Sequence, residues 1–432
     1  MIKESAFTFI TKIILAFFGL IIAIITARVL GAEGRGVYYF LFSLIGVSIL
    51  IGSLGINIAN VYFIGRKEYS LNTLLGNSIF SGFCLGILVI IGILLLLSIS
   101  PNLFKGIDPL FVLMVCALIP FQLISQLLLG LLLGLQRIFS YNIVQIIVNS
   151  IVVLSFLIFL PLFPEIKTAV YILLLAGFLW LIVTSSFLLV RQKEISLKKL
   201  KINFLTLKKS INFGLKGQLG NIAQFLNYRL DIFLINFFIN PIAVGIYSIA
   251  VILGESLWYL TNSLATVLFP KISATKDNIE SERITAKSCR LGFGMTIIGA
   301  LILFFLAPWI IKILFGKEFL SGAMAFKILL PGIIIFSIAN VLASYIAGKG
   351  FPQYNSLAAS VSLIFTVGLD IFLIPKWGIN GAALATTVSY IMATLIILYF
   401  YKKISSRTFN LKNLLIPQKE DFKSFVRLLQ FK

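Results

Sequence analysis

The sequence predicts an all-α integral membrane protein of about twelve transmembrane helices in two pseudo-symmetric six-helix bundles. Composition, the distribution of basic residues and an internal repeat predict it. Apolar residues make up 59% of the 432 positions, charged residues only 12%, and mean hydropathy is +1.06. Soluble domains carry about 25% charged residues. About twelve spans of roughly 22 residues would fill about 61% of the chain, which leaves no room for a sizeable soluble domain.

The apolar stretches place spans near 7–29, 37–64, 74–98, 109–134, 142–163, 167–190, 210–238, 243–269, 287–315, 323–347, 355–375 and 379–402. Met1–Arg28 carries Lys3 and Lys12 ahead of a long apolar run with no small-residue cleavage site, so it reads as a retained first span rather than a signal peptide. Lys and Arg then sort by side. The side holding both termini and the loops after spans 2, 4, 6, 8 and 10 collects 26 of the 36, and the other side 8, Arg28 and Arg35 among them. Lys216 and Arg229 fall inside span 7. An excess of basic loops marks the cytoplasmic face, so both termini are expected there, and a miscounted span would have destroyed the separation.

The chain also reads twice. Pro120 and Pro331 are 211 positions apart, as are Phe104-Lys105-Gly106 and Phe315-Gly316-Lys317. Gly36-Val37-Tyr38 returns after 209 positions as Gly245-Ile246-Tyr247, and Tyr141-Asn142 after 213 as Tyr354-Asn355. Four matches in one order at nearly one offset argue for duplication, the usual ground plan of a transporter. The expected organisation is an N-terminal bundle over 1–190, a basic linker over 191–209, a C-terminal bundle over 210–402 and a basic tail over 403–432. Linker and tail suit the anionic inner leaflet, and the tail is either a helix opened by Pro417 with Phe422, Phe425, Val426 and Leu429 on one face or a solvated extension.

Ionisable residues at depth in a bilayer cost a few kcal/mol or more each and usually face a cavity. Here they are Lys216, Arg229, Asp231, Glu255 and Asp370, with Arg28 near the outer end of span 1. On span 7, Lys216, Gly220, Gln224, Asn227 and Asp231 fall within an arc of about 80°. That stripe either lines a hydrated path or, alternatively, Lys216 snorkels and Asp231 pairs with a structural partner such as Arg229. Glu255 is a coupling carboxylate, as Asp231 could be, or a partner for a cation of span 7. Asp370, close to Lys376, is read as structural. The many Asn and Gln residues, Asn57, Asn60, Gln122 and Asn340 among them, are expected in interhelical hydrogen bonds. Gly82-x-x-x-Gly86 and Gly130-x-x-x-Gly134 fit close helix packing.

The chain has no histidine, which removes imidazole metal sites, Ser/His catalysis and His proton relays. Cys84, Cys116 and Cys289 are scattered through apolar stretches and read as small buried hydrophobes. The net charge of +21 lies in loops that set topology, so nucleic acid is not an expected partner. No outer loop exceeds about ten residues, too little to hold the acids and acceptor site of a glycan polymerase or ligase. No enzyme activity, metal or cofactor is expected.

Several stretches resemble the Wzx-type polysaccharide flippases of the MOP exporter superfamily. They are Ala27-Arg28-Val29-Leu30-Gly31-Ala32-Glu33-Gly34-Arg35-Gly36-Val37-Tyr38, Arg229-Leu230-Asp231 with Pro241, Leu314-Phe315-Gly316-Lys317-Glu318-Phe319, Ile328-Leu329-Leu330-Pro331-Gly332, and Ile374-Pro375-Lys376-Trp377-Gly378-Ile379-Asn380-Gly381-Ala382-Ala383-Leu384-Ala385-Thr386. The resemblance implies a MATE/MOP-like fold in a bacterial cytoplasmic membrane. It also implies alternating access that flips an undecaprenyl-pyrophosphate-linked oligosaccharide for O-antigen, capsule or a related surface polymer, alongside polysaccharide assembly proteins. Arg28 matches a cavity arginine of the related lipid II flippases. Those proteins carry an acid where this chain has Val37-Tyr38-Tyr39, and two further C-terminal helices, which points away from a peptidoglycan precursor. The expected substrate ligands are Arg28, Lys216, Gln224, Asn227, Arg229 and Asp231, with Asp231 and Glu255 for ion coupling. A cation-coupled drug or metabolite exporter would want acids at depth in spans 1–6, and there are none. A membrane polymerase or ligase is the rival from another class, and a non-transporting assembly scaffold is the third alternative.

Overall fold

A computed structural model of the chain describes residues 2–190, 200–275, 277–405 and 414–416. Residues 191–199 of the expected linker, and the tail helix expected from Pro417 onward, lie outside the described residues. The helices are α1 (Ile2–Gly52), α2 (Ile56–Gly65), α3 (Leu71–Ile99), α4 (Pro109–Gly134), α5 (Ile138–Leu162), α6 (Ile166–Val190), α7 (Phe204–Phe238), α8 (Pro241–Ser256), α9 (Trp258–Ala274), α10 (Asn278–Ile310), α11 (Gly322–Gly348) and α12 (Pro352–Ile404). A 3-10 turn at Pro101–Phe104, a π turn at Ile311–Phe315 and a 3-10 turn at Lys317–Phe319 join them among the described residues.

Among the described residues eight helices are long and apolar enough to cross a membrane, or nine if the bent α8–α9 pair counts as one. Two of the eight, Phe7–Gly52 and Pro352–Ile404, hold 46 and 53 residues; the first contains expected span 1 and most of span 2, the second both of the last two spans. A bilayer core of about 30 Å takes only about 20 helical residues, so each must turn back. They do so at single glycines, Gly31 (φ 67°, ψ −172°) and Gly378 (φ 58°, ψ −137°), which reach the left-handed region without a Cβ penalty. α7 falls outside the apolar set because Lys208, Lys209, Lys216, Arg229 and Asp231 interrupt it. Counting both arms of the two long helices, the bent pair and α7 recovers the twelve spans of a two-bundle membrane fold.

The structure corrects the expectation on two points. Span 2 is not one helix, because residues 53–55 interrupt it between α1 and α2. Arg35 is no loop residue, since α1 resumes immediately after Gly31 and buries it to 2% exposure. Its Nη1 donates to Thr26 Oγ1 at 2.7 Å, back across the bend, and its guanidinium lies 5.8 and 5.2 Å from the ring centres of Tyr38 and Tyr39.

The fold divides into two compact units. The first comprises Met1–Ile246 with Leu314–Glu318, the second Tyr247–Ile313 with Phe319–Lys432. Compactness therefore places α7 with the N-terminal helices, although the repeat opens the second half there.

In the first unit, the two expected glycine pairs do pack helices. A Cβ on Gly86 would meet the Pro120 ring at 2.7–2.9 Å, and one on Gly130 the Asn57 carbonyl at 2.6 Å, so α3 and α2 both lie against α4 at backbone distance. Asn60 Nδ2 donates to Ser78 Oγ (2.9 Å) and to the Leu127 carbonyl (3.1 Å), tying α2 to α3 and α4. Such bonds contribute about 0.6–2 kcal/mol in a bilayer. In the second unit, Thr387 Oγ1 donates to the Ile328 carbonyl (2.7 Å) and Trp258 Nε1 to the Ile333 carbonyl (3.2 Å). Phe336 and Tyr390 stack at 4.9 Å beside Trp258, closing that core. The apolar surface is turned outward, as at Ile99 (78% exposed), Phe305 (71%) and Phe372 (68%), where lipid is the expected neighbour.

Gly130→Val should cost about 1–3 kcal/mol by overpacking α2 against α4, whereas Gly92→Ala, where a Cβ would meet nothing within 4 Å, should be neutral. The midpoint of thermal unfolding in detergent, followed by size exclusion, checks both.

Candidate functional site

α7 carries most of the predicted site, and its own polar residues fix how it is held. At its start, Asn203 Oδ1 caps the Thr206 amide at 3.0 Å. Asn77 on α3 exchanges two bonds with the Asn203 backbone, at 3.1 and 2.9 Å. About three turns further in, Gly214 lies against Gly55: a Cβ on either would sit 2.3 Å from the other's carbonyl oxygen. Gln218, buried, donates to the Leu50 carbonyl (2.7 Å) and Ser53 Oγ (3.0 Å), groups left over where α1 ends. The Phe225 ring covers Gly46 of α1. At the far end Asn236, fully buried, donates to the carbonyls of Leu103 (2.9 Å) and Lys105 (3.2 Å).

These contacts define the face of α7 that packs on α1 and α2. Helical geometry puts Gly214, Gln218 and Phe225 within roughly 40° of one another. The predicted stripe is centred roughly 140° away from them. The stripe thus lies on the other side of α7 from these contacts. Lys216 at its near end is exposed, Gly220 and Gln224 are half-buried, and Asn227 and Asp231 are buried. An Asp231 carboxylate oxygen accepts from the Ile232 amide at 2.8 Å. Arg229 lies on the packed side instead, half-buried, with Nη1 donating to the Tyr228 carbonyl at 2.9 Å. Lys216, Gln224, Asn227 and Asp231 therefore share one face, and Arg229 does not join them.

Arg28 stands apart on α1, one turn before the bend. It is exposed, and its Nε donates to the Leu314 carbonyl at 3.0 Å. Four residues later the Ala32 amide, the first donor after the bend, bonds to Glu318 Oε2 at 3.1 Å. Glu255 is half-buried on α8 in the second unit, where Asp370 is fully buried. Among the described residues no group of three or more acids and cysteines is placed to hold a metal ion. Two clefts, of about 460 Å³ beside Phe163, Glu165, Lys167 and Tyr171 and about 360 Å³ beside Trp377 and Asn380, include none of the predicted residues.

Sequence reading missed Gln218, Asn236 and Glu318. The first two are polar residues inside an apolar helix, which is signal enough for an interhelical bond. Glu318 gave none, because an acid beside a turn reads as solvated.

An all-helical membrane chain with this duplicated plan has the fold of the MOP transporters. The structure of "Lipid II flippase MurJ, inward closed conformation" superposes with a TM-score of 0.75 at 20% identity, covering 100% of this chain and 94% of that one. An inward-facing multidrug resistance MATE family transporter gives 0.71 at 14% identity, covering 90% and 94%. Likeness at these identities establishes the fold. The family follows from sequence: the chain belongs to the polysaccharide biosynthesis protein family, whose model matches residues 1–276. It is 24% identical over 390 residues to the "Putative O-antigen transporter" of Shigella flexneri, spanning 88% of this chain and 92% of that one.

Arg35→Leu should lower the unfolding midpoint in detergent by removing a charge-assisted bond of about 1.5–3 kcal/mol to Thr26, whose hydroxyl keeps its own bond to the Ile22 carbonyl. Arg35→Lys should recover only part of the loss, since an ammonium cannot both reach Thr26 and lie flat on the tyrosines.

Proposed function

We propose that the protein flips an undecaprenyl-pyrophosphate-linked oligosaccharide from the cytoplasmic to the outer leaflet of the bacterial cytoplasmic membrane by alternating access. Both termini are cytoplasmic, as the loop charges require. The two sequence halves, 1–190 and 210–402, work as the two bundles. No covalent chemistry is needed, and none is assigned.

The observation that carries this reading is the polar face of α7, turned away from the helices that hold the rest of the helix. A pyrophosphate carries about two negative charges, and moving it bare through hydrocarbon is prohibitive. Lys216, Gln224, Asn227 and Asp231 provide a graded polar track, cationic at its exposed end. Arg28 offers a guanidinium suited to bidentate phosphate contact. Arg229, on the other side of α7, serves as a more distant cation. The sugars stay in water and the polyprenyl tail stays in lipid. An inside-negative potential favours outward passage by about 2.3 kcal/mol per charge per 100 mV. Asp231 and Glu255 are the carboxylates available to couple a cation. Membership of a polysaccharide biosynthesis family and likeness to an O-antigen transporter support the substrate class.

Deletion of the gene should make lipid-linked repeat units accumulate on the cytoplasmic side, read as radiolabelled lipid extracts. Arg28→Ala and Lys216→Ala should each cut surface glycan by about tenfold while the protein still inserts at normal levels. Normal export in both variants would contradict the proposal.

A further inference from the structure

Two short turns, recognised in the sequence only as a repeat, do matching work in the fold. Phe104-Lys105-Gly106 and Phe315-Gly316-Lys317 each hold a glycine in the left-handed region, Gly106 at φ 72° and Gly316 at φ 117°. The first turn lies on the α7–α8 junction: Asn236 donates to its Leu103 and Lys105 carbonyls, and a Cβ on Gly106 would meet the Pro241 ring at 2.9 Å. The second lies on the bend of α1: Arg28 donates to its Leu314 carbonyl, and its Glu318 accepts from the Ala32 amide. Arg28 and Asn236 are 208 positions apart, and Leu103 and Leu314 are 211 apart, so the two bonds are repeat equivalents. Between them the repeat-equivalent glycines Gly36 and Gly245 meet each other. A Cβ on Gly36 would sit 1.8 Å from the Pro241 carbonyl, and one on Gly245 would sit 2.0 Å from the Ala32 carbonyl. Like residues meeting on an axis, with reciprocal pairs beside it, is the pattern of a self-complementary two-fold contact.

We propose that these turns form a reciprocal clasp that holds the outer side of the protein shut, and that Glu318 and Asn236 are its positioning residues. Which side is outer rests on the function proposed above. The clasp combines a few side-chain hydrogen bonds with the close Gly36–Gly245 packing, and Asn236 is fully buried, so opening it separates packed backbone as well as breaking those bonds. Glu318 is exposed, and water can replace its single bond to Ala32.

The test reads access rather than transport. In a chain with Cys84, Cys116 and Cys289 replaced by serine, Asn227→Cys places a thiol on α7, about 13 Å along the helix from Asn236. A membrane-impermeant maleimide is added to intact cells and the labelling rate is measured. Glu318→Ala and Asn236→Ala should each raise the rate about tenfold, and Lys317→Ala, on the same turn, should not. Rates unchanged in both variants, with each still monodisperse in detergent, would overturn the clasp. A rise seen only in inside-out vesicles would overturn its placement on the outer side. A second arm needs no reporter: Lys105→Cys with Asn236→Cys, bridged by a short reducible bis-thiol reagent, should stop glycan export until reductant is added. Full export through the bridged protein would overturn the clasp as well. A labelling gain in a protein whose deletion leaves lipid-linked sugars at normal levels would keep the clasp and remove the flippase reading. Normal rates beside accumulated lipid-linked sugars would do the reverse.

Discussion

In hydrocarbon every backbone polar group must find a partner inside the protein, and this molecule breaks its helices often. A continuous helix satisfies that constraint by itself, but a bend at Gly31, an interruption at 53–55 and turns at 104–106 and 314–318 each expose amides or carbonyls. The structure answers each break with a side chain from a distant segment. Glu318 accepts from Ala32, Arg28 donates to Leu314, Asn236 donates to Leu103 and Lys105, and Gln218 donates to Leu50. Each repair is also a tertiary contact, so the places where the chain stops being helical are the places where it is tied together.

That rule separates two populations of polar residue. Asn60, Asn77, Gln218 and Asn236 are accounted for by the carbonyls and hydroxyls they meet across helices. The face of α7 bearing Lys216, Gln224, Asn227 and Asp231 looks the other way from these ties. That face runs from Lys216, exposed, to Asn227 and Asp231, both buried. Under the function proposed above, a polar face of four turns is the path of a charged cargo along the helix.

The spans and the duplication were legible because hydropathy and loop charge are one-dimensional signals that survive without a structure. The breaks within them were not. Gly31 lets α1 reverse without a loop, so a reading that assigns every charged cluster between apolar runs to a loop misplaced Arg35, which burial and two tyrosines absorb instead. Compactness was illegible for a related reason. α7 begins the second repeat in sequence, yet Gly214, Gln218 and Phe225 dock it on α1 and α2, a pairing that depends on which face meets which. Glu318 shows the limit most plainly: its role exists only because a free amide, 286 positions away in the chain, comes within 3.1 Å.

The two halves have kept their mechanical equivalence while losing their chemical one. At corresponding positions near the ends of the two junction helices stand Arg28 and Asn236, and both cap a carbonyl of the opposite turn. An asparagine does this at no electrostatic cost. An arginine brings a fixed positive charge to the same bond, held in an exposed setting where an anion can also reach it. Duplication alone would produce two like residues, and packing alone would favour the neutral one twice. Under the function proposed above, a cation on one side of an otherwise symmetric contact serves a charged substrate, which assigns the asymmetry of the contact to function and its symmetry to fold.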